Sequence, residues 1–213
     1  GFLELLREQA SKYGIVLIFD EVVTGFRLAY GGAQELYGVV PDLCTLGKVI
    51  GGGFPLAAIA GKSEIMAHFD QSKTGAEGFT YQIGTLSGNP VAAMAGLKTL
   101  EIMKRSGVYE QLRENGNFVM QSITRHLSNA GIPHQLVGDP VLFDVVFTTQ
   151  NAVLDYRDFV SSDFSRARQF NQLLREQGIL KPDTKFYISL ALTTENLEKA
   201  DAAIAHAAAR LSD

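Results

Sequence analysis

The order of hydrophobic and polar positions predicts alternating helices and strands in the first half of the chain. Residues 1–14 carry a stripe of apolar side chains and end at Gly14, which is the pattern of an amphipathic helix with a glycine after its last turn. Residues 15–19 (IVLIF) form a continuous β-branched apolar run, which predicts a strand buried on both faces. Residues 39–48 and 55–62 contain two more short apolar runs, which predict further short strands.

A strongly helical segment follows at residues 87–105. Ser87 or Asn89 can cap its N-terminus, and Pro90 stands near the first helical position, where its missing N–H has no partner to lose. A helix, a strand, short strands and a helix in this order predict an α/β fold with a largely internal sheet.

The pattern changes near Ser106, where a second, smaller α+β region is predicted to begin. Its expected elements are helix 108–131, strand 140–147, helix 165–178, strand 186–192 and helix 195–211. We therefore predict two domains, residues 1–105 and 106–213.

Composition and charge narrow the possible functions. The 213 residues are 46% hydrophobic and 20% charged, which is typical of a globular protein that can bury a core. A formal net charge of -4 argues against nucleic acid or a membrane as the main partner, and no apolar stretch approaches the roughly 20 residues of a membrane helix. The single cysteine, Cys44, cannot form an internal disulfide, which fits a reducing compartment and predicts a cytoplasmic location. The four histidines lie far apart without ligand spacing, so no metal site is predicted.

Asp20 and Glu21 directly follow the predicted strand at residues 15–19. Ligands of open α/β sheets bind at the carboxyl ends of strands, so this acidic pair is a candidate site. Two other interpretations stay open, namely a pair of solvated loop carboxylates or the magnesium-binding acids of a nucleotide-hydrolysing domain. The second interpretation needs an upstream phosphate loop of the form GxxxxGK[ST], and none precedes Asp20 in this sequence.

Lys48 is the one charged residue in the run TLGKVIGGGFPLAA, residues 45–58. Lysine is rarely buried because its ammonium is costly to dehydrate, but an amine in apolar surroundings gives up its proton and becomes a nucleophile toward aldehydes. The glycines at 51–53 would let the backbone bend sharply and leave room for a flat ligand. The alternative is an ordinary surface lysine that extends its charge into solvent.

Residues 81–90 (YQIGTLSGNP) suit a phosphate group. Gly84, Thr85, Ser87 and Gly88 bring backbone N–H groups and hydroxyls to the start of the next helix, although simple helix capping explains the same residues. An acid at a strand end, a nucleophilic lysine and a phosphate-suited turn are together what a pyridine ring with an aldehyde and a phosphate requires. The combination predicts pyridoxal 5'-phosphate as cofactor.

Three motifs carry a resemblance to a known family. The segments are FDEVVTGFR (19–27), PDLCTLGKVIGGGFPLAA (41–58) and YQIGTLSGNPVAAMAG (81–96). In order and spacing they resemble the class III pyridoxal-phosphate aminotransferases, and within that class the glutamate-1-semialdehyde 2,1-aminomutase branch. The ending FYISLALTTENLEKA (186–200) resembles the same branch, so the likeness covers essentially the whole chain.

The resemblance implies roles for five residues. Lys48 would form the Schiff base with pyridoxal phosphate and act as the catalytic acid and base. Asp20 would bind the pyridinium nitrogen, and Val22 would pack against the ring face. Gly84 and Thr85 would reach the cofactor phosphate, in this family typically that of the neighbouring subunit. The resemblance therefore implies a homodimer that acts on an amino acid or amine and on an oxo acid or aldehyde.

The resemblance also implies the fold and its extent. Family members are considerably longer, and their N-terminal half carries a phosphate cup and a ring-stacking aromatic residue that are not identifiable in this sequence. Residues 1–105 would be the C-terminal part of the large domain of a fold type I PLP-dependent transferase, and 106–213 its small α+β C-terminal domain. The alternative is a folded, non-catalytic fragment that binds no cofactor.

Two departures from the branch leave the reaction open between transamination and aminomutation. Residues 183–186 (DTKF) stand where the aminomutases carry Phe-Glu-Ala-Gly, and Leu192 stands where they usually carry histidine. Lys185 is either a partner for a substrate carboxylate or an exposed lysine in a turn.

Overall fold

The computed structural model describes residues 1–212 and divides them into two compact units after Ser106. The sequence places a boundary near residue 105, and the assignment of the two units to the large and small domains of a longer protein stays a prediction. Within the described residues, each unit contains one three-stranded sheet. No helix in residues 1–212 is both long enough and apolar enough to cross a membrane.

The first unit combines one sheet with helices. Its elements are α1 (Phe2–Tyr13), β1 (Ile18–Glu21), α2 (Gly32–Tyr37), β2 (Leu43–Leu46), a 3-10 turn (Lys48–Gly51), β3 (Ala58–Gly61), α3 (Ser63–Met66), a second 3-10 turn (Ala67–Phe69), α4 (Gln71–Gly78) and α5 (Pro90–Met103). Two predicted helix ends are confirmed. Gly14 follows α1 in the left-handed conformation with φ 64°, and the Asn89 side chain caps α5, with Pro90 as its first residue.

The first sheet has the order β1-β2-β3, with β1 parallel and β3 antiparallel to β2. The prediction that residues 15–19 form a strand buried on both faces is wrong, because the strand begins only at Ile18 and Ile15, Val16 and Ile18 are exposed. The prediction of a largely internal sheet is wrong for the same reason. β1 is an edge strand, and the described residues leave these side chains uncovered.

The helix α5 packs closely against the 3-10 turn that begins at Lys48. A Cβ placed on Gly96 of α5 would overlap the carbonyl oxygen of Ile50. A Cβ placed on Gly52 would lie 2.8 Å from the carbonyl oxygen of Ala95, and Gly52 has φ 57°, so glycine suits this position for both reasons. The contact between the two backbones fixes the position of the turn that carries Lys48.

Asp42 is a buried carboxylate that links α1, the start of β1 and the end of β3. Its Oδ1 lies 2.7 Å from Lys62 Nζ, and its Oδ2 accepts hydrogen bonds from the Leu17 backbone N–H at 2.7 Å and from Arg7 Nη1 at 3.0 Å. The hydrogen bond from Lys62, then that from the Leu17 N–H and the smaller effect of Arg7, hold the pKa of Asp42 well below its usual range, although burial acts in the opposite direction.

Asp42→Asn is expected to lower the free energy of unfolding by about 1–3 kcal/mol near neutral pH, because two cations lose their charged acceptor. A carboxyl whose pKa is lowered on folding stabilises the fold above its unfolded-state pKa, about 4. That stabilisation is lost as the pH falls from there toward the folded-state pKa, so the wild type should lose stability more steeply than the variant in this range. Urea denaturation at several pH values measures the free energy of unfolding and its pH dependence, with the exposed Glu8→Gln as control. Identical pH dependence of wild type and Asp42→Asn would contradict the role of this carboxylate.

The second unit begins at residue 107 and contains an antiparallel sheet in the order β4-β5-β6. Its elements are α6 (Val108–Asn129), β4 (Gln135–Asp139), β5 (Leu142–Val146), α7 (Tyr156–Val160), α8 (Phe164–Glu176), β6 (Phe186–Tyr187) and α9 (Thr194–Ser212). The predicted strand 186–192 is wrong in extent, because the chain turns at Ser189. The Ser189 hydroxyl accepts a hydrogen bond from the Ala191 N–H at 3.1 Å, and its carbonyl accepts one from the Leu192 N–H at 3.4 Å.

The packing of α6 against α9 builds the core of the second unit. Ile123 and Leu127 of α6 and Ile204 of α9 are almost completely buried. A polar contact accompanies them, since Asp201 of α9 accepts a hydrogen bond from the buried Ser122 hydroxyl at 2.5 Å. Apolar burial and this hydrogen bond together hold the two long helices side by side.

Candidate active site

Asp20 stands at the carboxyl end of β1, beside Thr45 of β2. Its side chain is exposed, and its Oδ1 accepts hydrogen bonds from Thr45 Oγ1 at 3.1 Å and from the Val22 backbone N–H at 3.0 Å. Its Oδ2 accepts no hydrogen bond from the described residues. The carboxylate is therefore held at one oxygen and can accept an N–H donor from a ligand at the other.

Lys48 begins the 3-10 turn two residues after β2, and its backbone is strained. Its φ of 47° lies in the left-handed region, where a non-glycine residue costs about 1–3 kcal/mol and where residues of functional sites are often found. The side chain is exposed, so the described residues do not supply the apolar enclosure that the sequence suggested. The amine forms no hydrogen bond or ion pair with the described residues.

Val22 lies close to the peptide that leads into Lys48. A Cβ placed on Gly47 would lie 3.4 Å from Val22 Cγ1, so the valine side chain covers this glycine. β1 and β2 are parallel and paired up to their last residues, so both end at the same edge of the sheet. The structure therefore places Asp20, Val22 and Lys48 at the edge of the sheet where β1 and β2 end.

Gly84 and Thr85 lie in an exposed turn before α5, where the Ser87 N–H donates a hydrogen bond to the Gly84 carbonyl at 2.9 Å. No hydrogen bond or ion pair among the described residues joins this turn to Asp20 or Lys48. Within the described residues, the predicted phosphate-binding residues therefore make no polar contact with the acid or the amine.

Glu21 follows Asp20 in the sequence but has a different environment, with a relative exposure of 1%. Its Oε2 accepts hydrogen bonds from Thr24 Oγ1 at 2.8 Å and the Ala33 N–H at 2.7 Å, and its Oε1 accepts from the N–H and Nε2 of Gln34, both at 3.1 Å. Both oxygens are therefore occupied by the loop that follows β1 and by the start of α2. A magnesium site built from Asp20 and Glu21 would lack its second ligand.

Thr45 is a residue of this site that the sequence interpretation missed. The only signal for it is a polar residue inside the apolar strand LCTL, three residues before Lys48. A strand pattern tells which residues share a face, but the register that puts Thr45 beside Asp20 depends on the pairing of two separate segments.

Comparison with known proteins identifies the relatives of the chain. Residues 1–208 match the family model described as aminotransferase class-III. The glutamate-1-semialdehyde 2,1-aminomutase 2 of Brevibacillus brevis is 45% identical over 204 residues, which are 93% of this chain and 46% of that protein. The chain thus spans about half the length of the curated relatives it matches.

Solved structures show the same fold. An omega-transaminase from Sphaerobacter thermophilus matches with a TM-score of 0.85 at 32% identity. The match covers 99% of this chain and 48% of the transaminase chain. A transaminase with PLP bound matches with a TM-score of 0.85 at 30% identity. This match covers 98% of this chain and 47% of the other. These similarities confirm the predicted fold class, since the chain shares the fold of PLP-dependent transaminases, known as fold type I.

Proposed function

The chain belongs to the class-III aminotransferase family, and we propose that it is part of an enzyme that moves an amino group with pyridoxal 5'-phosphate as its cofactor. The observation that carries the proposal is the position of Asp20 and Lys48 at the edge where the parallel strands β1 and β2 end. Ligands of α/β sheets bind at such an edge. The bound PLP of a similar transaminase supports the choice of cofactor.

The residues at this edge suit the cofactor chemically. When bound, pyridoxal phosphate supplies an aldehyde that combines with amines and a ring that draws electrons from the reacting carbon. The Lys48 amine is the group that would hold the aldehyde carbon, and it has no partner among the described residues. Asp20 would hold the protonated ring nitrogen through Oδ2, and Val22 would offer an apolar surface to the ring.

Lys48 would also move the proton. Once the substrate amine has displaced it from the aldehyde carbon, the neutral Nζ would take a proton from the carbon that bears the substrate amino group. It would return the proton at the former aldehyde carbon, on the other side of the nitrogen. The flexible four-carbon stem suits an amine that must reach two atoms. The backbone below it is held by the contact of Gly52 with α5, so the side chain moves while its attachment point stays in place.

Gly84 and Thr85 would bind the cofactor phosphate of a second copy of the chain, so the proposal includes a homodimer. The turn around them exposes a group of large apolar side chains that a partner would cover, namely Tyr81, Ile83, Leu86, Val91 and Met94.

The proposed substrates are an amino acid or amine as donor and an oxo acid or aldehyde as acceptor. An internal amino shift is the second candidate, and the 45% identity with an aminomutase favours it. The sequence at residues 183–186 and Leu192 argues for transamination. The free, buried thiol of Cys44 supports a reducing compartment, and the cytoplasm is the location we propose.

Asp20→Asn is expected to reduce the rate of amino transfer about 10²-fold in the full-length protein, meaning this chain together with the remainder that its relatives carry. A neutral amide does not stabilise the positive charge of a protonated ring nitrogen as a carboxylate does. The measurement is the formation of a new amino acid from an amino donor and an oxo acid, with Glu8→Gln as the exposed control. Unchanged turnover of Asp20→Asn would contradict the proposed role.

The same assay separates the remaining alternatives. A transaminase needs both a donor and an acceptor, whereas an aminomutase converts one compound that carries an amino group and an aldehyde. If the full-length protein binds the cofactor and catalyses neither reaction, the proposed function is wrong. If the full-length protein is active and the 213-residue chain is not, the chain by itself is the non-catalytic fragment.

A further inference from the structure

Two hydrogen bonds of different origin hold the Asp20 carboxylate. The bond from the Val22 N–H, at 3.0 Å, is a local turn contact that any residue other than proline at position 22 would supply. The bond from the Thr45 hydroxyl, at 3.1 Å, comes from a side chain on the neighbouring strand. Both end at Oδ1, and Thr45 is the one side-chain donor to Asp20 among the described residues.

The pairing of β1 with β2 explains why Thr45 reaches Asp20. The two residues are register partners in a parallel pair, so their side chains lie on the same face of the sheet. Their Cα atoms are about 5 Å apart, the spacing of neighbouring strands. Threonine is β-branched and therefore restricted at χ1, which gives its hydroxyl a defined direction. A carboxylate rotates freely over a broad range about its last bond unless a partner holds it.

We propose that Thr45 is a positioning residue that turns the Asp20 carboxylate so that Oδ2 faces the ring nitrogen of the cofactor; this inference rests on the proposed function. The hydroxyl donates its one hydrogen to Oδ1, and the ring N–H then meets Oδ2. Without the hydroxyl, the Val22 N–H alone holds the carboxylate, which turns toward solvent more readily.

The test compares two variants of the full-length protein. Thr45→Val keeps the size and the β-branch but lacks the hydroxyl, whereas Thr45→Ser keeps the hydroxyl. We expect Thr45→Val to raise the Kd for pyridoxal phosphate about five- to tenfold, and Thr45→Ser to stay within about twofold of wild type. The pH midpoint of the absorbance change of the bound cofactor should differ from that of wild type in Thr45→Val and should match it in Thr45→Ser.

A structural effect of Thr45 is measured separately. The unliganded variants should melt within about 2 °C of wild type, because Thr45 is only partly buried and valine fits a strand as well as threonine does. If Thr45→Val does not fold, Thr45→Ala removes the hydroxyl without the extra methyl group, and its Kd and pH midpoint are interpreted in the same way.

A double-mutant cycle decides whether Thr45 acts through Asp20. In the Asp20→Ala background, Thr45→Val should change the Kd by less than about twofold, because no carboxylate is left to orient. Equal losses in both backgrounds, or a wild-type Kd and pH midpoint in Thr45→Val, would overturn the positioning role. An Asp20→Ala protein that binds pyridoxal phosphate like wild type would instead overturn the proposed function of Asp20.

Discussion

Replacing Lys48 with alanine is expected to reduce amino transfer by the full-length protein by about 10³-fold or more. The proposed role gives this one amine two tasks, to hold the aldehyde of the cofactor and to carry the proton between two carbons. Lys48 is the one lysine in residues 18–61, the segment that contains all three strands of this sheet. The measurement is turnover at saturating donor and acceptor, after addition of excess pyridoxal phosphate.

The control for this variant is another exposed lysine of the first unit. Lys98 in α5 pairs with Glu101 at 2.8 Å on the surface, so Lys98→Ala should keep turnover within about twofold of wild type. Circular dichroism of both variants should match wild type, since the Lys48 side chain contributes no hydrogen bond or ion pair within the described residues. Wild-type turnover of Lys48→Ala without any added amine would contradict the assignment.

Glu21→Ala is expected to lower the free energy of unfolding by about 3–5 kcal/mol. The substitution removes a buried carboxylate and leaves the donors of Thr24, Ala33 and Gln34 without their acceptor. The site is tightly packed, because a Cβ placed on Gly32 would overlap the carboxylate and Gly32 has φ 73°. The loop after β1 and the start of α2 should therefore loosen together.

Urea denaturation followed by circular dichroism measures this loss. Glu21→Gln keeps one acceptor oxygen but turns an NH₂ group toward backbone donors. Its free energy of unfolding should therefore fall by less than that of Glu21→Ala, by about 1–3 kcal/mol. Glu8→Ala removes an exposed carboxylate of α1 and should change stability by less than about 0.5 kcal/mol. A denaturation midpoint of Glu21→Ala equal to that of Glu8→Ala would show that the four hydrogen bonds do not hold the loop.

Helix ends were predictable from sequence because they depend on local chemistry. Gly14 takes the left-handed conformation after α1, and Asn89 caps α5 with Pro90 behind it, since glycine, asparagine and proline each favour these positions by their own geometry. No distant contact is needed for such a choice. The same holds for the positions of α6, α8 and α9, whose apolar stripes repeat with the helical period.

The burial of the first strand was not predictable in the same way. The run at residues 15–19 reads as a strand enclosed on both faces, but enclosure depends on what packs against it, and the described residues leave Ile15, Val16 and Ile18 exposed. The short extent of β6 has a similar origin, because hydrogen bonds at Ser189 turn a chain whose composition still favours a strand.

For the candidate site, the sequence indicated the reactive groups but not their partners. Asp20 stands out because it follows an apolar strand, and Lys48 because it is the one charged residue in the run 45–58. The partner of Asp20 is Thr45, and it depends on strand register. The burial of Glu21 depends on a loop that folds back over it, and the strained φ of Lys48 follows from the turn that α5 fixes.

We propose that Lys48 attaches the cofactor, and chemical trapping of the attached residue tests this assignment. The full-length protein and its Lys48→Ala variant are mixed with pyridoxal phosphate, scanned between about 300 and 500 nm, and then treated with borohydride, which makes the attachment of an aldehyde to an amine permanent. Digestion and mass spectrometry locate the added group. We expect an absorbance band in wild type that the variant lacks, with the added mass on the peptide that contains Lys48. The same band in Lys48→Ala, or the added mass on another lysine while Lys48 is unmodified, would contradict the assignment of Lys48.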